Sequence, residues 1–192
     1  MPDPDPAALA FLLSRRSRPA RTLRTPVPDR AALMTILTAA ARSPDHGKLE
    51  PWRFIVLGRP AMARLGALAL GRAEALGLDD NSTAKAAAAF TDGHLAVAVI
   101  ASPKPSDKIP AIEQTLSAGA VCLSLLNAAL ASGWGANWLT GWPVHDRVFM
   151  TEGLGLAGHE FVAGVIHIGT GTATFPDRPR PDPEAITTWM TQ

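Results

Sequence analysis

The stretch ARSPDHGKLEPWRFIV, Ala41 to Val56, joins a polar segment carrying two prolines directly to an aromatic, β-branched run. Its second half, Trp52 to Leu57, reads as a β-strand by length and composition. Pro44 ends the preceding helix, and Pro51 begins the strand, so the loop is fixed at one end by a rigid turn and at the other by the sheet. A loop that only joined two elements would not need Arg42, Asp45, His46, Lys48 and Glu50 so close together. A loop clamped at both ends and dense in polar groups is a candidate site. Two plainer readings stay open: Arg42 complements the negative end of its helix, and a lone histidine in a loop is more often incidental.

Working outward, Asp5 followed by Pro6 predicts a helix start, and Leu9, Leu12 and Leu13 give it an apolar stripe to about Arg16, before Pro19. Asp29 caps a second helix, with Ala32, Leu33, Ile36, Leu37 and Ala40 at helical spacing. Downstream of the strand, Pro60 opens a third helix ending near Gly77, and Ser82 to Phe90 forms a short alanine-rich one. Leu95 to Ala101 (LAVAVIA) is apolar on both faces, as a buried central strand must be. Pro110 to Ser132 is the longest helix, apolar almost all round from Ala118 and stopped by Gly133. A short strand at Asn137 to Leu139, a short helix at His145 to Glu152 and a buried strand at Phe161 to Gly169 complete the order. The proline-rich tail FPDRPRPDPEAITTWM is expected to be extended. Its Ile186, Trp189 and Met190 need a surface to cover them. The short segment between Gly58 and Leu95 predicts an open pocket.

With 192 residues, 47% hydrophobic and 18% charged, the chain has the size and composition of one folded domain. Eighteen Lys and Arg against seventeen Asp and Glu leave a net charge of +1, which excludes a wholesale nucleic-acid binder. Cys122 is the only cysteine, so no internal disulfide is possible and a reducing cytoplasm is expected. The acidic N-terminus preceding an apolar run is the reverse of a signal peptide, and no apolar run reads as long enough to span a bilayer. There is no glycine-rich dinucleotide turn, P-loop, H-E-x-x-H or paired C-x-x-C.

Two further constellations could carry chemistry. In SRRSRPAR, Ser14 to Arg21, adjacent guanidinium forks and a hydroxyl sit at a helix end. They suit either a phosphate or merely the helix dipole. In GWGANWLTGW, Gly133 to Trp142, small residues and tryptophans follow the core helix. They make either a packed aromatic cluster or a wall for a planar ring, with Thr140 and the Gly141 backbone able to bond its edge. Cys122, amid apolar neighbours, reads as core. His94, His145, His159 and His167 share no metal-like spacing, so no metal site is expected.

Taken in order, RRS, then AARSPDHGKLEPWRFIV, then SAGAVCLSLLNAALASGWGANWLTG, then GHEFVAGVIHIGT resembles the nitroreductase family of flavoproteins, in its short bacterial branch. The resemblance covers roughly residues 9 to 175. It implies an α+β, nitroreductase-like fold over residues 1–192, with a central, mainly antiparallel sheet flanked by helices. It also implies an intertwined homodimer with FMN at the interface, the tail from residue 174 packing on the partner subunit. By the same resemblance Arg15, Arg16 and Ser17 grip the FMN phosphate and ribitol. Arg42 and His46 reach the flavin from the other subunit, and Trp138, Leu139, Thr140 and Gly141 lie beside it. Arg178 and Arg180 fall where relatives place a late basic residue on the phosphate. The implied activity is an NAD(P)H oxidoreductase: hydride passes from NADH or NADPH to FMN N5, then to a nitroaromatic, quinone or similar acceptor, in a ping-pong scheme. No catalytic side chain is needed beyond His46 as a candidate proton donor. Other readings are a flavin carrier or sensor, a flavin-consuming or dehalogenating enzyme on the same fold, or a helical interaction protein that binds no flavin.

Overall fold

The computed structural model of the protein describes residues 3–191. Helix α1 (Pro6–Ser14) starts where the sequence places it, since the Asp5 carboxylate accepts the Ala8 N–H at 3.0 Å with Pro6 in the first turn. It ends before Arg15, whose extended backbone turns the chain out of the helix. Helix α2 (Arg30–Ala40) is capped by Asp29, which accepts the Ala32 N–H at 2.8 Å. A two-residue strand, β1 (Leu23–Arg24), lies between them.

Strand β2 (Trp52–Gly58) leads into α3 (Arg59–Ala75) and α4 (Asp80–Thr91), then β3 (Leu95–Ala101), every residue of which is buried. Helix α5 (Ala111–Ala131) ends near Gly133, whose φ of +84° needs a residue without a side chain. Strands β4 (Gly135–Leu139) and β5 (Phe161–Gly171) follow, and a short helix α6 (Pro183–Ile186) interrupts the extended tail.

All pairings in the sheet are antiparallel. Strand β5 is its centre, bonded to β3, β4 and β1, while β2 pairs only with β3. Alternation along the strands divides the core between the two faces. Val97, Val99, Ile166 and Ile168 pack with α2 and α5. Ala96, Ala98, Ile100 and Val165 pack with Met62 and Leu65 of α3 and Phe90 of α4. Cys122 lies in the first of these layers, where burial pushes its thiol up to about 12.

Three sequence expectations are corrected. His145 to Glu152 is not one α-helix: a 3₁₀ turn at Trp142–His145, begun by Pro143, is followed by a π-helical turn at Phe149–Gly153. Asp146 separates them by accepting the Phe149 N–H at 2.7 Å while its carboxylate holds Arg72 through two bonds. Strand β5 runs on to Gly171 because β1 pairs with its end. Helix α5 does have the length and hydropathy of a membrane span. It buries eight residues against the sheet and α2, as a core helix does. The segment between Gly58 and Leu95 holds the two helices expected there, and α4 lines one side of a cavity.

Arg53, two residues past Pro51, ties β2 to the start of β5 through a two-pronged pair with Glu160 at 2.7 and 2.8 Å. The strand that ends the quoted stretch is therefore held through both its backbone and the Arg53 side chain.

Candidate functional site

The arginine segment leaves α1 and runs alongside β4, fixed by the Arg18 N–H donating to the Ala136 carbonyl at 2.8 Å. Arg15 donates through Nη2 to Ser17 Oγ at 3.0 Å. Together with Arg178 and Arg180 of the tail, Arg15, Arg16 and Ser17 line a cavity of about 310 Å³ that also reaches Asn137. The Nε atoms of both Arg15 and Arg16 are buried without an acceptor among the described residues. Burial lowers the Arg15 pKa, and repulsion from Arg180 and Arg16 lowers it further. Among the described residues Arg180 is the one of these four arginines with a carboxylate partner, Asp177 at 2.7 Å. Clustered guanidinium groups with buried, unused donors fit an oxyanion such as a phosphate.

Asn137 continues into a second cavity, of about 400 Å³, with Pro19, Arg21, Leu139 and His167 in its wall. Leu139, His167 and Lys85 in turn line a third, of about 340 Å³, whose far side is Thr140, Gly141 and Trp142. The three form one elongated cleft along β4, cationic at one end and mostly apolar at the other. That shape and polarity suit a phosphorylated ligand with a flat ring system such as FMN.

The structure thus brings Arg15, Arg16, Ser17, Leu139, Thr140 and Gly141 to one cleft. Trp138 behaves differently. Alternation along β4 turns its indole to the opposite sheet face, against Gly164, where a Cβ would strike the ring. Its main chain alone stays beside the cleft.

Arg42 and His46 line none of the three cavities. Arg42 is exposed in the turn after α2, and His46 Nδ1 sits 2.6 Å from Glu113 Oε2 with the imidazole 64% exposed. The loop that carries them is nonetheless built with care. Gly47, Lys48 and Glu50 all have left-handed backbone, with φ of 74°, 54° and 48°. Asp45 pins that conformation by accepting the N–H groups of Leu49 and Glu50 at 3.3 and 2.7 Å. Non-glycine residues held left-handed are costly and cluster where function over-determines the backbone.

Three cleft residues were missed in the sequence: Lys85, Asn137 and His167. The available signal was a polar residue interrupting an apolar strand in FVAGVIHIG. His167 is almost fully buried, Nδ1 has no partner among the described residues, and burial holds its pKa at about 4.

Residues 12–170 match the model of the family described as "Nitroreductase family". The chain is 33% identical over 163 residues to the Escherichia coli K12 protein named "Putative NAD(P)H nitroreductase YdjA", covering 85% of this chain and 87% of that one. It is 33% identical over 165 residues to a Haemophilus influenzae "Putative NAD(P)H nitroreductase", covering 85% and 88%. Among solved structures, a nitroreductase-like family protein from Bacillus cereus superposes over 100% of both chains with a TM-score of 0.80 at 19% identity. A Desulfovibrio desulfuricans protein, described as a putative nitroreductase in complex with FMN, gives 0.74 at 19%, over 99% of this chain and 100% of that one. These two share the fold, with its antiparallel sheet and flanking helices. With the family matched across most of its length by sequence and its fold matched end to end, the chain belongs to the nitroreductase family.

Proposed function

We propose that the protein is an FMN-dependent NAD(P)H oxidoreductase that reduces a nitroaromatic, quinone or similar small acceptor. The observation that carries this reading is the pair of buried, unpartnered Nε atoms on Arg15 and Arg16, in a cationic cavity that opens into an apolar cleft. Relatives named as NAD(P)H nitroreductases, and a structural neighbour described with FMN, support it.

Bound FMN would supply the hydride chemistry, taking a hydride from the nicotinamide and passing it on. Arg15, Arg16 and Ser17 hold the phosphate, joined by Arg178 and Arg180. Leu139, Thr140 and Gly141, with the Trp138 main chain, border the other end of the cleft. One cleft serves donor and acceptor in turn, which predicts ping-pong kinetics. The chain contains no tyrosine, so a proton comes from solvent or from His46, which Glu113 orients. A His46→Gln variant with full turnover and normal FMN binding would remove His46 from that role.

A homodimer completes the site in this reading, with Arg42 and His46 reaching the flavin of the partner. Helix α1 buries none of its residues in its own chain, and Leu9, Leu12 and Leu13 are 58%, 56% and 76% exposed. Ile112, Leu116 and Leu123 of α5 and Ile186, Trp189 and Met190 of the tail are exposed as well. So much uncovered apolar surface needs a partner, here a second copy. A reducing cytoplasm suits the buried, unpaired Cys122. Sedimentation equilibrium should give twice the chain mass, and FMN titration one flavin per chain; a monomer binding FMN tightly would contradict the shared site.

A further inference from the structure

On the reading that the cleft holds FMN, we propose that His167 is a cofactor-binding residue, whose ring nitrogen hydrogen-bonds the flavin cofactor midway along the cleft. It stands opposite Asn137 in the β4–β5 register, and both side chains face the cleft. His167 lines both the central cavity and the ring end, as do Lys85, Ala89 and Leu139.

The side chain is 2% exposed, and Nδ1 has no hydrogen-bond partner among the described residues. Buried polar atoms are normally satisfied, so an orphan on a cavity wall marks a missing partner. Its neighbours within the fold do not supply one. Val165, Ile166 and Ile168 on the same strand are apolar, and Met62 packs from α3. Gly93 packs close beside the ring: a Cβ there would lie 3.2 Å from Nδ1 and would strike Met62. Gly93 itself lines the central cavity and is held by Arg59, which donates to its carbonyl at 2.8 Å. An apolar residue at 167 would suit the ligand-free fold better. A histidine there is explained by what enters the cleft.

The test compares the unsubstituted protein with His167→Leu and His167→Gln, each stripped of flavin. FMN is titrated by quenching of its fluorescence, and the flavin-free thermal midpoint is recorded. His167→Leu should bind FMN roughly tenfold more weakly, the loss of one hydrogen bond to an otherwise orphaned group. It should also melt higher without flavin. His167→Gln, which keeps a polar group, should recover part of the affinity. In the unsubstituted protein the His167 ring-nitrogen resonances should move when FMN is added, a readout independent of either variant folding. Unchanged affinity in His167→Leu, or ring resonances indifferent to FMN, would overturn the assignment of His167 alone. An unsubstituted protein that takes up no FMN would instead overturn the reading of the cleft on which the assignment rests.

Discussion

Arg18 and Ala136 are joined backbone to backbone at 2.8 Å, so the arginine segment and β4 move as one piece. The cationic cavity and the apolar cleft inherit a fixed separation from that bond. Arginines on a free tail would hold a phosphate without directing the rest of the ligand.

The phosphate assignment predicts a preference for FMN over riboflavin that depends on Arg15 and Arg16. Changing both to methionine keeps their apolar stems and removes the forks. FMN affinity should fall about 10- to 100-fold, as expected for charge-assisted bonds, with riboflavin affinity changed little. Fluorescence titrations of both flavins, at two salt concentrations, measure this; an equal loss for both flavins would place the arginines elsewhere.

Glu160 is the carboxylate most displaced in the protein, held at about 2 chiefly by its hydrogen bonds from Arg53. Its folded pKa lies below the ordinary 4.5, so its contribution to stability is complete above 4.5 and is lost as pH falls toward 2. Glu160→Gln should cost about 1–3 kcal/mol at neutral pH and flatten the stability profile in that window, read by urea denaturation.

His167 gives a separate acid window. Burial lowers its pKa from 6.5 to about 4, so the folded state resists a proton that the unfolded chain accepts. Stability is complete above 6.5 and falls as pH drops from 6.5 to 4. His167→Leu should remove that fall and leave the Glu160 window intact. Urea midpoints between pH 7 and 4 that decline equally in the variant and the unsubstituted protein would contradict it.

The indole of Trp138 lies against Gly164, with no space for a methyl group between them. Gly164→Ala should destabilise by about 1–3 kcal/mol through overpacking and shift the tryptophan emission. Flavin affinity should be nearly unaffected, because Trp138 faces the α2–α5 layer and not the cleft.

Much of this architecture was legible in the chain because local chemistry agreed with the fold. Asp5–Pro6 and Asp29 cap the helices they were expected to cap, and LAVAVIA is buried throughout, as an apolar run between helices must be. Arg15, Arg16 and Ser17 line one cavity, although the sequence alone left them as well suited to a helix dipole as to a phosphate. What stayed hidden depended on partners distant in sequence. β1 exists only because the end of β5 is there to pair with it. The 3₁₀ and π turns replace a helix because Asp146 is committed to Arg72, 74 residues away. Trp138 and His167 both lie in runs that composition describes correctly, but only the β4–β5 register decides that one faces the core and the other the cleft.

The most direct measurement is the absorbance spectrum of protein reconstituted with FMN, recorded anaerobically as NADH or NADPH is added. The account predicts a bound flavin spectrum that bleaches with at least one donor and returns when an acceptor is supplied. A protein that binds FMN but is bleached by neither nicotinamide would contradict an NAD(P)H oxidoreductase. One that takes up no FMN at all would contradict the cleft assignment of Arg15, Arg16 and Ser17 together.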